Sequence, residues 1–339
     1  MAVNATPQYK KAEEEYRRAQ SVQLQVECLE KMLVLLPKHK ASEKMQSDLK
    51  TRLKEARGEL AAEKAAPKKV RTYQFLNQGA GQIVILGGPN AGKSRLLAEL
   101  TSAKPEVAPY PFTTREPQPG MMPWEDVTVQ LIDTPPITDT FFEAYMQNIV
   151  RSADAVLLCF DGSSDDAPDH TAEVIRQIEH RKTLLSRESG FFEDDLTQVR
   201  IKTLLVPTRA DDPGAADRLA YFEEMFPGGN SQEGSSRSRF DVQPVEFDRP
   251  DSVAALRDRI YKMLGVIRVY TKTPGKPADF KSPFTIPAGG TVEDLAEKVH
   301  QDLAASLTHA RIWGSGVHDG QSVGRDHVLA DKDLVELHG

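Results

Sequence analysis

The first 65 residues place apolar side chains at helical spacing in two runs, separated by the segment PKHK. Spacings of three and four residues predict amphipathic helices, and a short proline-containing connection predicts that the two helices pair as an antiparallel hairpin. We interpret both apolar stripes as a packing seam rather than a cofactor-binding surface. The stripes consist of Val22, Val26, Leu29, Leu33 and Leu36 in the first run and Met45, Leu49, Leu53, Ala56 and Leu60 in the second.

Strand and helix patterns alternate after the segment AAPKKVRTYQF, which is typical of a linker. This alternation predicts an α/β fold with a doubly wound parallel sheet, closed by a last helix over SVAALRDRIYKML. The segment PGGNSQEGSSRSR is typical of a surface loop. The predicted strands are QIVILGG, VTVQLID, AVLLCFD and KTLLVPT, and the predicted intervening helices are SRLLAEL, DTFFEAYMQNIV, HTAEVIRQIEHRKTLL and ADRLAYFEEMF.

The pattern changes again from Ile267 onward. Short strands over IRVYT, PFTIP, ARIWG and LVELH surround one predicted helix over TVEDLAEKVHQDL, which indicates a small mixed domain of the ubiquitin-like, beta-grasp type. We therefore expect three domains: a helical hairpin over residues 1–72, an α/β domain over residues 73–265 and a beta-grasp domain over residues 266–339.

Composition narrows the functional classes. The chain of 339 residues has a formal net charge of -7, which argues against nucleic-acid binding by the protein as a whole, and we expect no DNA partner. Its two cysteines, Cys28 and Cys159, lack metal-ligand spacing and are predicted to be buried apolar residues in a reducing compartment. No signal-peptide core and no run of roughly 20 apolar residues occurs, so we expect a cytoplasmic protein without a membrane span.

The positive charge that the chain does carry is concentrated. Residues 37–71 hold 11 Lys and Arg against 5 Asp and Glu, a net of +6 within an otherwise acidic protein. One interpretation is a solvated helix face, and the other is a contact surface for RNA phosphates. The sequence alone leaves both open.

The segment GGPNAGKS carries the chain's most specific chemistry. It fits G-x-x-x-x-G-K-[ST] and lies between a predicted strand and a predicted helix, the context in which this motif binds phosphates. Backbone amides from Gly88 to Lys93 would surround phosphate oxygens, Lys93 would neutralise the β and γ charges, and Ser94 would bind Mg²⁺. The predicted nucleotide-binding residues here are Gly87, Gly88, Pro89, Asn90, Ala91, Gly92, Lys93, Ser94 and Arg95.

Three further residues fit this assignment. Thr114 in PYPFTT follows Ser94 by twenty residues and would close over the γ-phosphate, while Asp133 ends the VTVQLID strand and would hold Mg²⁺ through water. Asp211 in TRAD follows a predicted strand, where a carboxylate can accept the N1 and N2 hydrogens of guanine. That role favours GTP over ATP, and the alternative is a helix N-cap before PGAADRL.

These segments together resemble a known family. GGPNAGKS, AKPEVAPYPFTT and the C-terminal block from RVYTKTPGKPADFKSPF through IWGSGVHDGQSVGRDHVLADKDLVEL are similar to the Obg/Drg branch of translation-factor GTPases, and in particular to the developmentally regulated GTP-binding (Drg) proteins. The resemblance implies that residues 266–339 form a TGS domain, a module commonly associated with RNA or ribosome contact. It also implies GTP and GDP as ligands and the ribosome or a structured RNA as partner.

Four features depart from the family pattern. Pro136 replaces the switch glycine whose amide donates to the γ-phosphate, and proline has no amide hydrogen. Thr208 and Arg209 replace the asparagine and lysine of the base-recognition motif; we expect the threonine to be tolerated and the arginine stem to cover the purine. Glu246 stands where a Ser-Ala pair usually contacts guanine O6, which it could repel. The extra domain inserted in Drg proteins is absent here.

Two more positions bear on hydrolysis. Ile137 is aliphatic, as is usual in the Obg/Drg branch, and this implies slow turnover with the attacking water oriented by another group. Asn90 resembles the asparagine with which some related GTPases hold a K⁺ ion. The alternative role for Asn90 is to form the Pro-Asn turn.

Three functions fit these observations. The leading hypothesis is a GTP-binding, slowly hydrolysing switch protein, stimulated by K⁺ if Asn90 holds that ion, with Lys93, Thr114 and Asp133 as catalytic residues and Ser94, Thr114 and Asp133 around Mg²⁺. The second is a degenerate nucleotide-binding scaffold whose TGS and helical domains bind RNA or protein, which Pro136 and Glu246 favour. The third is an ATPase, which Asp211 disfavours.

Overall fold

A computed structural model describes residues 6–19, 21–36, 42–65, 73, 75–101, 116–192, 195–227 and 238–339. Its N-terminal helices are α1 Pro7–Arg18, α2 Val22–Leu35 and α3 Glu43–Ala65. The predicted pairing of α2 with α3 is present, and its core includes Leu29, Met32 and Leu49. Helix α1 was not predicted, yet it packs on α2 and buries Tyr9 and Tyr16 in the same core.

The central domain contains an eight-stranded sheet in the order β2-β3-β1-β4-β7-β5, with β6 and β8 also paired to β7. Neighbouring pairs from β3 to β5 are parallel, which confirms the predicted fold class, whereas the edge strand β2 is antiparallel to β3. The strands are β1 Gln82–Leu86, β2 Gln118–Trp124, β3 Val127–Asp133, β4 Ala155–Asp161, β5 Thr183–Ser186, β6 Gly190–Phe192, β7 Asp195–Thr208 and β8 Asp241–Val242.

Helices cover both faces of this sheet and form two apolar cores, one on each face. The central strand β1 is buried along its whole length, as expected for a strand between two helical layers. One predicted helix was too long, because residues 183–185 form part of β5 and pair with β7 instead. The helices are α4 Lys93–Leu100, α5 Ala144–Ser152, α6 Ala167–Glu179, α7 Ala215–Met225 and α8 Pro250–Met263.

The C-terminal domain has a five-stranded sheet in the order β10-β9-β13-β11-β12, with β9 parallel to β13 at its centre. This is the predicted beta-grasp arrangement, although the single predicted helix is divided at His300. The elements are β9 Val266–Thr271, β10 Asp279–Pro287, α9 Val292–Val299, α10 Gln301–Ser306, β11 His309–Trp313, β12 Gln321–Val323 and β13 Asp333–His338.

Buried arginines join the three domains. Arg268 of β9 binds Glu125 and Asp126 in the β2–β3 turn at 2.5 and 2.8 Å, and Arg17 of α1 donates to the carbonyl of Ala153 after α5 at 3.0 Å. Cys28 and Cys159 are both buried, as predicted. Across the described ranges, no helix combines the length and apolar character that a membrane crossing requires.

Candidate nucleotide-binding site

The loop between β1 and α4 is shaped to hold an anion. Gly92 has a φ of 84°, and a Cβ atom there would lie 3.1 Å from the Thr208 hydroxyl, so glycine suits the position on both counts. Gly92 caps α4 without a side-chain hydrogen bond. The first amides of α4 therefore keep the orientation that favours a phosphate oxygen at the helix N-terminus.

Lys93 lies over this loop. Its Nζ donates to the carbonyl oxygens of Gly87 and Gly88 at 3.1 and 2.8 Å, and the residue is 6% exposed. Burial lowers the pKa of the Lys93 ammonium, while the negative charge of Asp133 opposes that shift. A buried cation next to the loop amides is suited to neutralise a polyphosphate.

Ser94 and Asp133 meet at the edge of the sheet where the parallel strands end. The Ser94 hydroxyl donates to Oδ2 of Asp133 at 2.6 Å, and the pairing of Ile85 with Asp133 across β1 and β3 sets this proximity. A hydroxyl and one carboxylate fit Mg²⁺, which keeps several waters and takes further ligands from phosphates. Thr114, the remaining predicted magnesium and catalytic residue, lies outside the described residues.

Thr208 and Arg209, which replace the asparagine and lysine of the base-recognition motif, connect the end of β7 to the phosphate-binding loop GGPNAGKS (the P-loop). The Thr208 hydroxyl is fully buried, 3.1 Å from the carbonyl oxygen of Ala91 and 3.2 Å from that of Phe160. The Arg209 guanidinium lies 3.3 Å from the carbonyl oxygen of Asn90. The substitutions therefore keep a connection between the base-recognition strand and the phosphate loop.

Arg209 also has a partner that the sequence did not reveal. Its guanidinium forms an ion pair of 2.5 Å with Asp161 at the end of β4. The position of Asp161 at the end of β4 could have indicated this contact. Strand β4 lies between β1 and β7 in the sheet, so its end lies next to the P-loop. Asn90 has a φ of 59°, a left-handed conformation that fits the turn-forming role considered for it.

A cavity of about 450 Å³ lies beside this connection. Asp211, Arg95 and Phe247 line it, so the structure brings the predicted base-recognition carboxylate next to the P-loop helix. Glu246 also lines the cavity, but its carboxylate is 3.4 Å from Arg249 and its amide donates to Ser252 at 3.0 Å. The ion pair with Arg249 reduces the repulsion that Glu246 was expected to exert on guanine O6.

The loop after Asp133 is buried. Thr134, Pro135, Pro136 and Ile137 are all buried, and the Thr134 hydroxyl donates to the carbonyl of Ile85 at 2.8 Å. The amide of Ile137 donates to the carbonyl of Gly87 at 3.4 Å. The start of the switch loop is thus held against β1 and the P-loop.

Comparison with known proteins agrees with this geometry. Residues 82–187 match the 50S ribosome-binding GTPase family, and residues 267–338 match the TGS domain family. An uncharacterised GTP-binding protein of Methanocaldococcus jannaschii is 27% identical over 93% of this chain and 92% of its own length. Developmentally-regulated G-protein 1 of Arabidopsis thaliana is 26% identical over 88% of this chain and 87% of its own.

A further relative is developmentally-regulated GTP-binding protein 1 of Xenopus laevis, which is 24% identical over 88% of this chain and 94% of its own length. The likeness thus extends over most of the chain. The chain therefore combines a P-loop GTPase domain with a C-terminal TGS domain and is similar, over most of its length, to proteins named as developmentally regulated GTP-binding proteins.

Proposed function

We propose that this protein is a GTP-binding switch that hydrolyses GTP slowly and docks on the ribosome or a structured RNA. One observation supports nucleotide binding above all: the buried Lys93, the Ser94–Asp133 pair and the cavity lined by Asp211 lie along one edge of a parallel sheet. In open α/β sheets, ligands bind at this edge. The relatives' own names as GTP-binding proteins agree with guanine as the base.

The proposed reaction is in-line attack of water on the γ-phosphate. Lys93 would stabilise the charge that develops on the phosphate oxygens, and Ser94 and Asp133 would hold Mg²⁺, with Thr114 as a further ligand. The metal would supply electrostatic stabilisation of the leaving phosphate. Slow turnover follows from Ile137, whose aliphatic side chain is buried and cannot orient the attacking water.

A second candidate function is a nucleotide-binding scaffold. It is favoured by the burial of residues 134–137, because a switch loop already packed in the protein has little freedom to respond to a γ-phosphate. Under this alternative the TGS and helical domains bind RNA or protein whichever nucleotide is present. Measuring the affinity ratio between a GTP analogue and GDP separates the two candidates.

RNA association rests on the basic segment over residues 37–71. The structure describes residues 42–65 of this segment, which contain six Lys and Arg and five Asp and Glu, a net charge of +1. Most of the positive excess therefore belongs to residues outside the described ranges. We propose the domain limits 1–72, 73–265 and 266–339. The cytoplasmic location stays a prediction from the cysteine usage.

Nucleotide titration tests the proposal directly. Purified protein should bind GTP and GDP at least tenfold more tightly than ATP, a difference of about 1.4 kcal/mol, because Asp211 accepts two hydrogens that adenine lacks. Asp211→Asn should lose this preference but keep phosphate binding, while Asp217→Asn, an exposed carboxylate on α7, should behave as wild type. Equal wild-type affinities for ATP and GTP would contradict guanine recognition.

A further inference from the structure

Guanine presents two kinds of group to a protein, and Asp211 can satisfy one kind. Its carboxylate accepts hydrogens from N1 and N2, whereas O6 and N7 on the adjacent major-groove edge are acceptors and need donors. Three donor side chains line the cavity within the described part of the chain: Arg95, Arg209 and Ser163. These three side chains are therefore the candidates to donate to O6 and N7.

All three side chains have partners, but Ser163 and Arg209 share Asp161, whose side chain is only 12% exposed. The Ser163 hydroxyl donates to Asp161 at 2.9 Å, and the Arg209 guanidinium pairs with the same carboxylate and approaches the carbonyl oxygen of Asn90. The buried Thr208 hydroxyl, which replaces an amide side chain, lies between two backbone carbonyl oxygens and has no second hydrogen to give. Arg209 uses Nη1 for both of its contacts and is held by a poorly exposed carboxylate, whereas the partners of Arg95 are more exposed, so Arg95 is the cation that changes partner most easily.

Arg95 is well placed for this task. It follows Ser94 in the first turn of α4, and its guanidinium carbon lies 4.8 Å from the centroid of the Phe247 ring. Stacking on an aromatic ring fixes the plane of a guanidinium while its edge N–H groups stay available. The guanidinium lies 3.3 Å from Asp248 and 3.9 Å from Glu99, carboxylates that are 96% and 43% exposed, so little energy opposes a change of partner.

We propose that Arg95 is a specificity-determining residue that donates to the O6 and N7 acceptors of guanine, while Asp211 accepts from N1 and N2. This inference rests on the proposed function, since it requires a guanine nucleotide in this cavity. A guanidinium fork matches the two acceptors of guanine, whereas adenine places an amino donor where guanine has O6. Arg95 and Asp211 together select guanine from both edges, which explains how the protein tolerates Thr208.

Binding of GDP and 7-deaza-GDP, measured by displacement of a fluorescent GDP, tests the proposal. Wild type should bind GDP about fivefold more tightly than the deaza analogue, which lacks the N7 acceptor. Arg95→Ala should weaken GDP about tenfold and bring the ratio close to one. Arg95→Lys keeps the charge but not the fork, so it should recover only part of the preference.

Arg176→Ala serves as the matched control, because Arg176 forms a similar exposed ion pair of 3.3 Å with Glu173 on α6. It should keep the wild-type affinities and ratio. If Arg95→Ala keeps the wild-type ratio, or if Arg95→Lys restores every affinity, Arg95 acts as a structural or phosphate-directed charge and the inference is wrong. A wild type that binds no guanine nucleotide would instead contradict the proposed function itself.

Discussion

The amide of Ile137 donates to the carbonyl oxygen of Gly87, joining the switch loop to the first residue of the P-loop. Pro136, which precedes Ile137, has no amide hydrogen. Neither residue therefore offers a donor to a γ-phosphate in this arrangement. We therefore expect nucleotide binding through Lys93 and the loop amides to be unaffected, while the loop that should distinguish GTP from GDP is held in place.

Replacing Pro136 by glycine should strengthen the switch. The new amide can donate to the γ-phosphate, and a hydrogen bond to a charged group contributes about 1.5–3 kcal/mol. The affinity for a non-hydrolysable GTP analogue relative to GDP should rise about tenfold or more. Calorimetric titration of both nucleotides measures this ratio.

Pro135→Gly is the matched control for that variant. It relieves the same backbone stiffness, since a proline also restricts the residue before it, but adds its amide one position earlier. If Pro135→Gly raises the analogue-to-GDP ratio as much as Pro136→Gly does, loop freedom rather than the restored donor limits switching. If neither variant changes the ratio, the muted-switch hypothesis is wrong.

Removing the Thr208 hydroxyl should loosen the phosphate loop. In Thr208→Val the carbonyls of Ala91 and Phe160 lose a buried donor, which costs about 1–3 kcal/mol of stability. GDP affinity should fall together with the thermal unfolding temperature. Thr208→Ser keeps the hydroxyl and should stay close to wild type on both measurements. Equal behaviour of the valine and serine variants would show that the hydroxyl does not support the loop.

The sequence was sufficient to predict secondary structure and site residues where the local pattern and the sheet topology agree. Strand β1, the P-loop and α4 follow from an apolar run, a glycine-rich motif and a helical repeat, so Lys93, Ser94 and Asp133 could be placed beside one another in advance. Helix α1 escaped prediction because its segment is largely charged and its buried stripe of Tyr9, Ala12 and Tyr16, although helically spaced, contains no large aliphatic residue. Proline at positions 119 and 123 concealed β2, which tolerates them as an edge strand.

Tertiary contacts between domains could not be predicted. Arg268 and Asp126 are 142 residues apart, and nothing in the local sequence of either indicates the other. The contact of Arg95 with Phe247 depends in the same way on how α4 packs against the segment before α8. Side-chain partners of this kind follow from the assembled fold rather than from periodicity.

Asn90 offers a test of potassium dependence. If its side chain helps to hold K⁺, GTP hydrolysis should be faster in potassium chloride than in sodium chloride at equal ionic strength. Asn90→Gly should abolish this difference, and glycine is the appropriate replacement because it accepts the φ of 59° without strain. Identical wild-type rates in the two salts would leave Asn90 with its turn-forming role.

Charge reversal in the basic segment should release the protein from ribosomes. Lys38 and Lys40 lie outside the described residues, and Lys44 is in the first turn of α3. Their joint replacement by Glu should reduce co-sedimentation with ribosomes and flatten its dependence on salt, because phosphate contacts release counterions. The control reverses Arg176, Lys182 and Lys262 on the GTPase domain, an equal change in net charge. Equal loss in both triple variants would exclude a specific contact.

Arg268 should hold the TGS domain on the GTPase domain in a pH-dependent way. Burial disfavours its charge, but hydrogen bonds to Asp331, Glu125 and Asp126 outweigh that cost and raise the pKa of Arg268. Burial likewise opposes ionisation of Asp126 and Asp331, yet their bonds to Arg268, and for Asp126 also to Tyr270, lower both carboxyl pKa values. These carboxylates therefore stabilise the interface above their ordinary pKa of about 4 and lose that effect as the pH falls further.

Arg268→Gln should consequently cost about 1–2 kcal/mol at pH 7, less than the loss of a fully buried ion pair because Glu125 and Asp331 are 52% and 43% exposed, and it should cost less still near pH 3.5, where the carboxylates become protonated. Hydrogen exchange of β9 and of the β2–β3 turn measures the loss at both pH values. Arg311→Gln, an exposed arginine on the same sheet, is the control and should leave exchange unchanged. If Arg268→Gln accelerates exchange equally at both pH values, the contact acts through packing on Trp124 and Tyr261 rather than through charge.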